Sequence, residues 1–75
     1  MGRLQTTGAA ELVRALRRLG DETVRQKGSH ISLRAVGRPP LTVPAHEPVA
    51  PGTLRAIIRA AGIDVDELLA LLQAG

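Results

Sequence analysis

Seventy-five residues without a cysteine allow one small domain and exclude disulfides, thiolate zinc sites and cysteine nucleophiles. The absence of Phe, Trp and Tyr removes the rings on which single-stranded bases commonly stack, so any nucleic-acid contact must rest on arginine, backbone amides and shape. The net charge of +3 is unevenly spread: residues 1–38 carry eight Lys/Arg against three Asp/Glu, residues 39–75 two against four, and only the first half suits a phosphate-bearing partner.

Residues 1–6 are expected to be flexible. Met1-Gly2-Arg3-Leu4-Gln5-Thr6 also fits the short N-myristoylation pattern, against which stands the plain reading of a free terminus. Residues 8–19 are predicted as the first helix: Ala9, Leu12, Val13, Leu16 and Leu19 recur at helical spacing and form an apolar stripe. Thr7 or Gly8 caps its start, Glu11 suits the first turn, and Gly20 suits the left-handed position that ends a helix. Arg14, Arg17 and Arg18 face away from the stripe, as a solvated face or as a phosphate- or partner-contacting surface.

Residues 21–27 alternate poorly and are predicted as an edge strand. Gly28-Ser29 is a turn. Residues 30–36 alternate well, with Ile31, Leu33 and Ala35 on one face and His30, Ser32 and Arg34 on the other. Gly37-Arg38-Pro39-Pro40 is a second turn, and Leu41-Thr42-Val43 a short strand that Pro44 should stop. After a loop over residues 45–51, Leu54, Ile57, Ile58 and Ala61 predict a second helix closed by Gly62, with Thr53 as its cap. Asp64 and Glu67 form a capping box for a short last helix bearing Leu68, Leu69, Leu71 and Leu72. The order helix, three antiparallel strands, helix, short helix makes an α+β domain over residues 1–75, most simply one sheet with helices on one face.

His30 is the leading chemical candidate. Its parity opposes Ile31 and Leu33, so it projects from the face that does not pack on helices. Gly28 and Ser29 can approach a phosphate closely through backbone and hydroxyl, and Arg25 and Lys27 add positive charge just upstream. Imidazole is the side chain best suited to moving a proton at neutral pH. RNA carries its own nucleophile in the 2′-hydroxyl, so one histidine and cations suffice for cleavage without a metal. The plain alternative is a strand-edge histidine making ordinary polar contacts. His46, after the third strand, is either a partner or support for His30 or a structural loop residue. A metal set of His30, His46 and Glu47 has the right ligand types but no diagnostic spacing, and no metal or cofactor is expected.

Taken in order, the leading helix ending in Leu19-Gly20, the run Arg25-Gln26-Lys27-Gly28-Ser29-His30, then Leu41-Thr42-Val43-Pro44-Ala45-His46 and Pro51-Gly52-Thr53-Leu54-Arg55-Ala56-Ile57-Ile58 resemble the HicA toxin family. Ala60-Ala61-Gly62-Ile63 before an acidic helix start fits as well. The resemblance implies a double-stranded-RNA-binding-domain-like fold and a toxin of a toxin–antitoxin system that cleaves mRNA without a metal. It implies that His30 is essential; the residues themselves offer Ser29 and His46 as support and Arg25, Lys27, Gly28 and Arg34 as phosphate contacts. It also implies a HicB-type antitoxin that covers the active face in a hetero-oligomer. A non-catalytic RNA-binding or protein-interaction domain is the alternative on the same fold. No apolar run reaches the ~18 residues of a membrane span and the opening residues lack the stretch of a signal peptide, so a cytoplasmic protein without membrane contact is expected. Family members usually carry an aromatic after the glycine that ends the first helix; Asp21 stands there in this chain, and a looser core is expected.

Overall fold

The first helix forms where its apolar stripe predicts. The structure, a computed structural model, describes residues 7–46 and 48–73; the myristoylation pattern, the expected flexibility of residues 1–6 and Glu47 lie outside these. Helix α1 spans Ala9–Leu19 and buries Ala9, Leu12, Ala15 and Leu16. Gly8 is its N-cap, and its amide donates to Glu11 Oε1 at 3.3 Å, which is half of a capping box because glycine has no side chain to return the bond. At the other end Gly20 adopts φ 115°, its N–H donates to Arg17 and that of Asp21 to Leu16, so two otherwise orphaned carbonyls are satisfied and the chain turns sharply.

That turn aims Asp21 inward. The strand expected from residue 21 begins one residue later: β1 is Glu22–Lys27, β2 is His30–Arg34 and β3 is Leu41–Pro44, in the sheet order β1-β2-β3, all antiparallel. Asp21 is fully buried beneath the end of α1, and its Oδ1 accepts from Arg38 Nη2 at 2.6 Å while the same nitrogen reaches the Leu19 carbonyl at 3.2 Å. The position is therefore closed by an ion pair rather than left open by the missing ring.

β1 is the edge strand, and its poor alternation has a cause. Its register with β2 shifts between Thr23 and Arg25, leaving Val24 as a bulge that reverses the face of every residue before it. β2 stops at Arg34, two residues short of expectation, because Val36 sits fully exposed in the turn to β3. β3 runs through Pro44, not up to it: Pro44 pairs with His30 where no amide is required, and the ladder resumes with the Ala45 amide on the Ser29 carbonyl at 2.6 Å.

Helix α2 spans Pro51–Ala61 with Ala50 as N-cap; Pro51 at its start supplies a preset φ, so Thr53 lies inside the first turn and is not the cap. Helix α3, Val65–Gln73, begins as expected, with the Glu67 amide on Asp64 Oδ1 at 2.8 Å and the Asp64 amide on Glu67 Oε1 at 3.3 Å. α1 and α2 pack on the sheet and α3 packs on α1. Leu12, Leu16, Leu33, Val43, Leu54 and Leu68 are fully buried between them, together with Val49, which the loop before α2 inserts while its amide donates to the Thr7 carbonyl at 2.8 Å. The core lies over β2 and β3. All six residues of β1 are exposed.

Candidate RNA-facing site on the open sheet

Cross-strand partners share a face, so the register assigns each residue a side. Leu33, Leu41 and Val43 are buried and Ile31 is half-buried, which marks the helix-facing side. On the opposite, open side stand His30 between Lys27 and Pro44, Ser32 between Arg25 and Thr42, and Arg34 beside Glu22. Arg25, Lys27 and Arg34, predicted from sequence as phosphate contacts, thus share one face with His30. Glu22 is the only carboxylate among the residues paired there, so the face is cationic.

The central position of β2 brings this about. His30 opens the middle strand and has neighbours on both sides, whereas its sequence neighbours Gly28 and Ser29 form a two-residue hairpin turn. Gly28 takes φ 59° at the first turn position, while no described residue other than glycine has positive φ, the pattern of a type II′ turn. A Cβ at Gly28 would meet nothing within 4 Å, so a substitution there probes the backbone alone. Gly28→Val is expected to lower stability by about 1–3 kcal/mol, read as a shifted urea midpoint at unchanged m; a loss below the error of that measurement would show that the turn tolerates another conformation.

His30 is exposed, and its imidazole hydrogen-bonds to no described residue. Lys27 lies directly across from it, at the Cβ separation of roughly 5 Å typical of paired residues. Ser29 is exposed in the turn and its carbonyl is engaged by Ala45. That bond carries the chain past the end of β3 beside Ser29, which puts His46 at the same end of the sheet as His30; the His46 amide folds back onto the Pro44 carbonyl at 2.9 Å. His46 is likewise exposed. Among the described residues no three His, Cys, Asp or Glu side chains are grouped to hold a metal, and no helix is long and apolar enough to cross a membrane.

Sequence reasoning passed over two residues of this face. Thr42 drew no attention, although its place in the strand before Val43 assigns it to the outer side, and Ser32 was placed on that side without a role. The Arg14, Arg17 and Arg18 cluster is exposed as expected, but on the helical side, away from His30.

Comparison with known proteins agrees with this architecture. The family model for the HicA toxin of bacterial toxin–antitoxin systems matches residues 9–63, from α1 through the end of α2. A chain from a solved toxin–antitoxin complex of Streptococcus pneumoniae is 33% identical, with a TM-score of 0.68 over 76% of this chain and 98% of that one. No curated protein matches. The α+β, double-stranded-RNA-binding-domain-like arrangement and the ordered motifs around His30 therefore have one explanation: this chain belongs to the HicA toxin family.

Proposed function

We propose that this protein is a single-domain toxin ribonuclease that cleaves mRNA without a metal, with His30 moving the proton. The observation that carries this reading is the placement of His30 in the middle strand of an open, cationic face, directly across from Lys27 and with Arg25 and Arg34 on the same side. In the reaction the imidazole takes the proton of a ribose 2′-hydroxyl, and the oxygen attacks the adjacent phosphorus. The bond to the 5′-oxygen breaks, and that oxygen takes a proton from water or from a second acid, for which His46 is the candidate. The products are a 2′,3′-cyclic phosphate and a 5′-hydroxyl end. Lys27, level with His30, offsets the charge that builds on the phosphate oxygens, Arg25 and Arg34 farther along the face meet neighbouring phosphates of the strand, and the turn at Gly28-Ser29 lets the backbone come close.

The solved complex of the Streptococcus pneumoniae relative supports an antitoxin as partner, and a HicB-type protein that covers the open face in a cytoplasmic hetero-oligomer fits its charge. A non-catalytic RNA-binding domain is the second reading, favoured by the lack of any described hydrogen bond orienting the imidazole. Incubation with single-stranded RNA in chelator separates the two: cleavage to cyclic-phosphate ends supports the first, binding without cleavage the second, and neither at moderate salt leaves a protein-interaction module. If three cations meet phosphates, log K should fall with log salt at a slope of about −2, and Lys27→Gln should flatten it by about 0.7. A slope near zero in the wild type would remove phosphate contact from the mechanism.

A further inference from the structure

Ser32 and Thr42 face one another on the open side of β2 and β3. The Ala45 amide on the Ser29 carbonyl sets the alternation of the ladder, so Ser32 and Thr42 form one of the non-hydrogen-bonded pairs, in which side chains stand closest. Ser32 is half-buried, Thr42 exposed, and neither hydroxyl has a hydrogen-bond partner among the described residues. Arg25 completes the row from β1. The row lies two residues along the strand from His30, which is about 7 Å, close to the length that one nucleotide of an extended strand covers.

We infer that Arg25, Ser32 and Thr42 form a subsite for the ribose-phosphate next to the cleaved one, Arg25 on the phosphate and the two hydroxyls on the ribose 2′-hydroxyl. A 2′-hydroxyl both donates and accepts, and so does each of these side chains. The pair can therefore read RNA against DNA without touching a base, which suits a chain with no aromatic residue. The inference rests on the RNA-cleaving reading of the same face.

The test uses His30→Ala protein, in which substrate persists, and the same protein with Ser32→Ala and Thr42→Val added. Both added changes remove a hydroxyl with little change in side-chain size, and circular dichroism checks the fold. Binding of a mixed-sequence octaribonucleotide and its 2′-deoxy counterpart is measured by fluorescence polarisation. The parent is expected to prefer RNA by about tenfold, and the added changes to erase that preference, each hydroxyl contributing a few-fold, while DNA affinity stays unchanged. Equal RNA preference in both proteins would overturn the subsite and leave the ribonuclease reading intact. Failure of the parent to bind either strand would overturn both. Loss of RNA and DNA affinity together would assign the row to phosphate alone and overturn the ribose assignment.

Discussion

His30→Ala is expected to lower the rate of RNA cleavage by about 10²–10⁴-fold, the usual worth of a positioned acid–base group. The imidazole is exposed and makes no described hydrogen bond, so its removal should shift stability by no more than about 0.5 kcal/mol, and the lost activity cannot be put down to unfolding. RNA affinity should stay within a few-fold, since Arg25, Lys27 and Arg34 remain. In cells, expression of the wild type should arrest growth and that of the variant should not. Cleavage within tenfold of wild type would take the proton transfer away from His30, and the same assay on His46→Ala then tells whether the second histidine carries it.

The largest effect on folding is expected at Arg38. Its guanidinium is the partner of Asp21, whose side chain is wholly buried and whose Oδ2 has no protein partner among the described residues. Removing one member of a buried pair strands the other charge, typically at about 3–5 kcal/mol. Because the Arg38 side chain keeps 21% of its surface in water, the lower end applies, and Arg38→Ala should cost about 3 kcal/mol of a total that for this size is about 4–11 kcal/mol. Asp21→Leu with Arg38→Met replaces the pair by apolar groups and should recover most of that loss. Urea titration of the two single variants and the double variant measures the coupling. An Arg38→Ala loss below about 1 kcal/mol would mean that water already screens the pair, and that the clasp between the end of α1 and the β2–β3 turn contributes little.

Local signals placed most elements. The stripe of Leu12 and Leu16, Gly20 at a left-handed helix end, and the reciprocal Asp64–Glu67 cap all act within a few residues, so periodicity and capping rules reach them directly. His30 was legible for the same reason: its parity against Ile31 and Leu33 is a property of one strand. The bulge at Val24 was not legible, because it exists only as a mismatch between two strands and no residue type announces it. Pro44 misled because proline normally ends a ladder; it fits here since its missing amide falls on a pair that needs none. Thr53 lost its capping role to Ala50 because Pro51 already starts the helix.

Asp21 illustrates the boundary between the two levels. As a polar residue where the family resemblance leads one to expect a ring, it read as a gap in the core. The structure fills that place with a charge whose partner stands 17 residues later. Sequence by itself determined the order of elements, the apolar faces and the placing of His30 beside the Gly28-Ser29 turn, because each depends on contacts between near neighbours. Only the tertiary structure decided that Arg25, Lys27 and Arg34 share a face with His30, that Ser32 and Thr42 stand side by side, and that Asp21 is paired. Those depend on strand register and on a long-range ion pair, and register is set by the packing of a whole sheet face rather than by any one residue in it.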